Sequence, residues 1–354
     1  MNRAELTARI KDGEIISDVS LDGVDLVDAD LSGALFENVS FREAKLARVT
    51  LRESILTGCD FTGADMSGAT LRLATLHECA LAEVKLARAN LTALKANACS
   101  FAFADLEGAD LVLAAFVGGS FAGAKLSLAN LDRATFLDVN VQNLDLSRAD
   151  LAFTHILNSD LTTVTLAGAR CRSAVFIGSS FAGMDLSGMD LTLSQLTGAN
   201  LAGTVLCGAT LTQCNFKGAD LRGARLDGAN ATNALFVEAD LSGASLRRAT
   251  LRQAIFVDAQ LAGADLTHAD VYQGIFHRAR CERTRYPAAE LTYADFSHAS
   301  VEGADFTGAT LFRARFHRTR DEGAIFTSRA TALGDDTALA QAETWQERMK
   351  AMPG

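Results

Sequence analysis

The sequence predicts an all-β solenoid with four sides per coil and a short helix at each end. Three observations carry this. A period of five runs from Leu21 to Phe326 with no insertion or deletion, and a large apolar residue, mostly Leu or Phe, fills nearly every centre. A small residue, usually Ala, stands two positions before each such centre, as at Ala29, Ala34, Ala64, Ala69, Ala104 and Ala109. A second period of twenty is superposed: the centres 36, 56, 76 to 316 are rich in Phe, and those at 26, 46 to 266 are Leu except for Met66. Helices space apolar residues at about 3.6 and half-buried strands at about 2, so neither explains the pattern. A chain that turns a corner every five residues and returns to the same side every twenty does.

The elements follow in order. Residues 1–18 form an N-terminal cap, in which 4–11 read as a helix with Leu6 and Ile10 on one face, stopped near Gly13. Residues 19–328 are the solenoid. Asp, Asn, Ser or Thr just before a centre bonds backbone groups that the corner leaves open. Gly two residues after the centre suits a turn position with positive φ. Asp25, Lys45, Asp65, Lys85, Asp105, Lys125 and Asp145 alternate in sign at twenty-residue steps and predict a ladder of opposite-charge pairs. The segment Cys281–Pro287 is the least regular, because Pro287 removes an N–H beside the ladder. A local bulge is favoured there over a recognition site. Asp321 occupies a centre, where burial of a charge is costly. Residues 329–354 form the C-terminal cap and tail. Asp335 or Asp336 caps a helix to about residue 349, with Ala338, Ala342, Trp345 and Met349 as one apolar stripe. That helix either closes the solenoid or serves as a dimerisation or docking element.

These residues resemble the pentapeptide-repeat family, whose motif is a small residue, Asp or Asn, Leu or Phe, then two variable positions. The resemblance covers about residues 19–328. It implies a right-handed quadrilateral parallel β-helix. It also implies non-enzymatic binding roles, since some members imitate duplex DNA and bind DNA gyrase, and others serve bacterial secretion systems as accessory or adaptor proteins.

Composition and motifs narrow the function. Net charge is -10, which gives no global attraction for nucleic acid. No apolar run reaches signal-peptide or bilayer-spanning length, and seven cysteines without a secretory signal fit a reducing, cytoplasmic setting. Cys59, Cys79 and Cys99 fall in one column and read as small buried residues rather than a metal or redox site, because three parallel side chains do not surround a tetrahedral ion. Cys171 and Cys281 are core centres, Cys214 replaces a small residue and Cys207 points outward. There is no P-loop, no GxSxG and no HExxH. No enzyme, cofactor or metal is expected.

The outward positions carry the remaining signal. Three faces are polar. The Phe-backed face instead presents Leu35, Ile55, Val117, Leu137, Leu157, Val175, Ile177, Leu235, Val237, Ile255, Val257 and Ile275. Leu73, Leu113, Phe153 and Leu193 stand at its preceding corner, and Gln195, Asn215 and Lys217 interrupt it. An apolar stripe of this kind marks an interface. The face ends in a basic cluster of His277, Arg278, His298, Arg313, Arg315, His317 and Arg318 around Asp295, with Glu37, Glu53 and Glu78 at the opposite end. The leading expectation is a scaffold or adaptor that binds a protein partner or a second copy of itself. A DNA-mimicking gyrase binder and a secretion-system accessory protein are the alternatives.

Overall fold

A computed structural model describes residues 3–351, with side chains through Trp345. The chain divides into two compact units, Met1–Phe181 with Met189–Gln195, and Ala182–Gly188 with Leu196–Gly354.

The first unit opens with helix α1 (Arg3–Lys11), whose Leu6 and Ile10 are buried. Gly13, at φ +75°, ends it. Its N–H reaches the carbonyl of Ile10 and that of Glu14 reaches Arg9, the paired bonds of a Schellman cap. Arg3 ties the helix to the coil beneath through the carbonyls of Val27 (2.9 Å) and Asp28 (3.1 Å).

Eight short strands then form one parallel sheet in chain order: β1 (Ile15–Ser17), β2 (Leu35–Glu37), β3 (Ile55–Thr57), β4 (Thr75–His77), β5 (Lys95–Asn97), β6 (Ala115–Val117), β7 (Thr135–Leu137) and β8 (His155–Leu157). Each pairs with the next at an offset of twenty, as in Leu35↔Ile55 and Val117↔Leu137. The ladder already includes Ile15–Ser17, ahead of the first centre counted at Leu21. The other sides pair through single bridges at the same offset, such as Asp25↔Lys45 and Asp30↔Thr50.

The five-residue logic holds at every level. Each centre from Leu21 to Phe316 is buried, and the small residue two before it is almost always buried too. Three residues after the centre, the amide closes back on the centre's carbonyl, as in Ala29 to Leu26 (3.0 Å) and Ala64 to Phe61 (2.9 Å). The residue between them sits at φ of about +50 to +70° whether it is Gly or not, so Gly is the easy choice rather than the required one. Asp and Asn before the centre accept the N–H two residues on, as Asp30 does from Ser32 (3.0 Å) and Asn90 from Thr92 (3.0 Å). From Phe36 to Ile156 in the first unit the corner after the Phe-backed face is wider and the chain there runs as three-residue strands, whereas Ser179 closes on Phe176 (3.2 Å).

In the second unit the same face has turned fully angular. Ala219 bonds Phe216 (2.9 Å) and Ala239 bonds Phe236 (3.1 Å). Phe216, Phe236, Phe256, Phe276, Phe296 and Phe316 stack with centroids 4.5–5.1 Å apart and planes within 11°. Burying each such ring contributes roughly 2–3 kcal/mol by area alone. Strand β9 (Asp305–Phe306) pairs with β10 (Ile325–Phe326). Beyond Phe326 the offset shortens, and Leu333 pairs with Arg315. This brings the chain to helix α2 (Thr337–Ala351), which Asp336 caps by accepting from Ala338 (3.1 Å) and Leu339 (3.0 Å). Among the described residues no helix is long and apolar enough to cross a membrane.

Four expectations change. There is no bulge at Pro287: Cys281 and Tyr286 are buried centres, and Pro287 takes the first corner position of a turn closed by Ala289 on Tyr286 (3.0 Å). Pro fits there because its φ is already right and no ladder bond needs its N–H. The Asp25-to-Asp145 column is in register, but among the described residues no ion pair within 4 Å joins its lysines to its aspartates; the long ammonium stems stay in water. In the second unit that column does pair, with Arg285 at 3.3 Å from Asp265. The stripe on α2 does not face the solenoid. Ala338 and Ala342 are exposed, as is Trp345 at 64%, while Ala340, Glu343 and Thr344 form the covered side. The side chain of Met349 lies outside the described residues. Asp321 is half-buried and paired with Arg329, which removes the cost of a bare charge at a centre.

Candidate protein-binding faces

In the first unit, Val117, Leu137 and Leu157 are direct neighbours on β6, β7 and β8. Val175 pairs with His155, and the Asn158 N–H donates to the Ile177 carbonyl (3.1 Å), which continues the patch by one coil. Val117 and Ile177 are each 42% exposed, and Leu137, Leu157 and Val175 are half-buried. Leu35 and Ile55 lie on β2 and β3, at the acidic end with Glu37, Glu53 and Glu78.

The preceding corner is the most unusual feature of this unit. Leu73, Leu113, Phe153 and Leu193 stand there at φ +54 to +65° and are 43–52% exposed. Positive φ costs a bulky residue roughly 1–2 kcal/mol relative to Gly, and water disfavours the exposed side chain. Arg133 lies over the Phe153 ring at 5.5 Å.

A second feature went unread in the sequence. Ala96 is a centre, in a series otherwise filled by large residues, and it is buried. A surface depression of about 590 Å³ lies over it, lined by Thr75, His77, Lys95, Asn97, Ala115 and Val117 among others. The signal was legible as the one Ala among the Phe-series centres.

In the second unit, Leu235, Ile255 and Ile275 pair in succession, with Val237, Val257 and His277 on the far side of the stacked rings. The patch is framed on one side by Gln253, which donates to Gln273 (3.0 Å), and on the other by Arg278 bound twice to Asp258 (2.7 and 2.6 Å). That hydrogen-bonded guanidinium holds the Asp258 carboxyl below its ordinary value. Outward apolar residues are not confined to the Phe-backed side, since Phe103 (67%) and Leu128 (53%) are exposed on other corners.

The basic cluster is not a free positive surface. His277 and Arg315 both lie 3.5 Å from Asp295, and Arg313 is exposed. His298, His317 and Arg318 converge on Glu343 of α2, at 3.2, 3.3 and 3.1 Å. Arg318 also donates to Ala340 O (2.8 Å) and Thr344 Oγ1 (2.7 Å). Burial alone would raise the Glu343 carboxyl, but the bonds from His317 and His298 and the Arg318 charge bring it below its ordinary value. Glu343 was not singled out from the sequence, because nothing in a helical heptad announces which turn meets a distant coil.

All seven cysteines are free thiols. Cys59, Cys79 and Cys99 are buried in the small-residue column, and Cys79 Sγ contacts the Leu56 carbonyl at 3.4 Å. Burial pushes the Cys171 and Cys281 thiols up to about 12.

The profile of the family described as pentapeptide repeats matches overlapping segments that together cover residues 16–92, 116–280 and 289–327. The chain therefore belongs to the pentapeptide-repeat family. Among solved structures it is similar to HetL, a pentapeptide repeat protein involved in heterocyst differentiation regulation from the cyanobacterium Nostoc sp. Strain PCC 7120. That match has 24% identity over 80% of this chain and 96% of the other, with a TM-score of 0.26. It is also similar to QnrB1, a plasmid-mediated fluoroquinolone resistance protein, at 17% identity over 51% of this chain and 88% of the other, TM-score 0.30. A pentapeptide repeat protein from the Arabidopsis thaliana thylakoid lumen shares 30% identity over 34% of this chain and 70% of its own, TM-score 0.13. A comparison with curated protein sequences finds no significant match.

Proposed function

We propose that the chain is a protein-binding scaffold whose Phe-backed faces receive apolar side chains of a partner protein, a second copy of the chain included. The row Leu73, Leu113, Phe153 and Leu193 carries the reading. Large apolar residues stand exposed at backbone positions that favour Gly, so neither folding nor solubility accounts for them. The depression over Ala96 supplies a pocket for one anchoring side chain, and Lys95 and His77 at its rim favour a partner with a carboxylate beside that anchor. The alternation from Asp25 to Asp145 and the close Arg–Asp pairs give mixed rather than continuous negative charge, which favours this over a DNA-mimicking role.

The test separates binding from folding. Leu113→Gly with Phe153→Gly relieves positive-φ strain while deleting the side chains, so thermal stability should hold or rise. Leu137→Glu, Ile177→Glu and Val237→Glu place charge on the faces. Size exclusion with light scattering should show self-association or partner complexes in the wild type and their loss in these variants. An unchanged association state in all of them would remove the proposal, and loss of the circular dichroism signal would make the side chains structural.

A further inference from the structure

We propose that His298, His317 and Glu343 form a divalent transition-metal site, suited to zinc, that staples α2 to the last coils of the second unit. The proposal is independent of the binding faces. Among the described residues these three bring their ligand atoms within 4.8 Å of one another. His298 Nε2 is 3.2 Å from Glu343 Oε1 and His317 Nε2 is 3.3 Å from Oε2. The separation of His298 Nε2 from Oε1 matches an edge of a tetrahedron drawn about an ion with bonds of about 2.0–2.1 Å, zinc's distance to His and carboxylate ligands, and His317 faces the same carboxylate from its other oxygen.

The sequence explains the convergence. His298 is two residues after the centre Phe296, and His317 is one after Phe316, so adjacent coils present the rings nineteen residues apart rather than twenty. The rings therefore meet edge to face, with centroids 5.6 Å apart and planes at 90°. Glu343 closes the set from the covered side of α2. His317 is fully buried, while His298 is partly exposed and leaves the fourth position open to water.

The surrounding groups assign the donor atoms. Arg318 Nε lies 3.1 Å from Glu343 Oε2, which leaves Oε1 for the metal. Asp336 N–H donates to His317 Nδ1 (3.1 Å), so without metal the ring proton sits on Nε2 facing Glu343. Zinc at Nε2 requires that proton to leave to solvent and Nδ1 to take one up, so the Asp336 N–H must turn away from the ring and the Asp335 carboxylate, now 3.7 Å off, must close in as the acceptor. A carboxylate behind the imidazole is the usual support for a ligating His. His277 is excluded as a ligand, since it faces Asp295 (3.5 Å) with its ring 6.2 Å from that of His298.

Tag-free protein stripped with chelator should be titrated with zinc by calorimetry and with cobalt as a spectroscopic probe. One equivalent should bind, with the visible absorption of tetrahedral cobalt. His298→Ala and Glu343→Gln should each weaken zinc by at least about tenfold, while His277→Ala leaves it unchanged. No saturable binding, or wild-type affinity in both ligand variants, overturns the site. Arg318→Met removes an anchor of α2 without removing a ligand and should keep most of the affinity. A loss as large as that of Glu343→Gln would show that helix docking, not the ligand set, governs binding.

Discussion

At the scale of single residues, the repeat makes glycines that look alike in sequence differ widely in consequence. Gly203 stands at a corner with φ +65°, and a Cβ there meets nothing within 4 Å. Gly119 occupies a small-residue position with φ +82°, and a Cβ there would come within 2.0 Å of the Cys99 carbonyl oxygen. Gly203→Ala should lose roughly 1–2 kcal/mol, the left-handed backbone term alone. Gly119→Ala should lose more than about 3 kcal/mol, because backbone must move. Urea unfolding midpoints compare the two, and equal midpoints would show that the coil around Gly119 yields without penalty. The buried thiols offer a related contrast. Cys171 is fully buried with its thiol pushed up to about 12, so it should resist alkylation in the native state.

At the scale of the five-residue element, the aspartate before each centre links turn geometry to acid stability. Asp30 and Asp160 are lowered first by the hydroxyls of Ser32 and Thr162 and then by the same residues' amides. A carboxyl lowered in the folded state contributes stability that is present above its unfolded value and lost as pH falls through the folded one. Thermal stability should therefore decline on acidification below the ordinary carboxylate value of 3.8. Asp30→Asn and Asp160→Asn keep the acceptor oxygen but cannot titrate, so each should flatten that decline. A slope unchanged by the double variant would place the acid sensitivity elsewhere. The same element shows where sequence and structure part. The period of five, the turn glycines and the twenty-residue Phe column were legible because each repeats, so chance is averaged away. The corner after the Phe-backed face was not: it is wide at Val39, Cys59 and Cys79 and tight at Ser179, Ala219 and Ala239, although all of these residues are small enough to be buried.

At the scale of the whole chain, the repeat and the N-terminal helix were readable and the docking of the C-terminal helix was not, for one physical reason. Inside a solenoid each coil's environment is set by identical neighbours, so periodicity alone assigns burial. At the last coils the partner is α2, whose docking depends on contacts across 17 to 45 residues, from Arg318 and Asp335 to His298 and Glu343. The stripe Ala338, Ala342 and Trp345 pointed to the wrong side of that helix because the helix is held by polar anchors rather than by apolar burial. This determines what its removal does. In a nearest-neighbour architecture, stability lost at an end propagates only as far as adjacent coils remain marginal. Truncation after Gly334 would bare His317 and remove the contacts of Arg318 with Ala340, Glu343 and Thr344, while leaving the Leu333 pairing with Arg315 in place. Amide exchange should then speed up across residues 311–326 and stay unchanged around Phe216, Phe236 and Phe256. If protection instead fell equally through the second unit, α2 would be part of its cooperative core, and the polar contacts around Glu343 would be holding far more than one end.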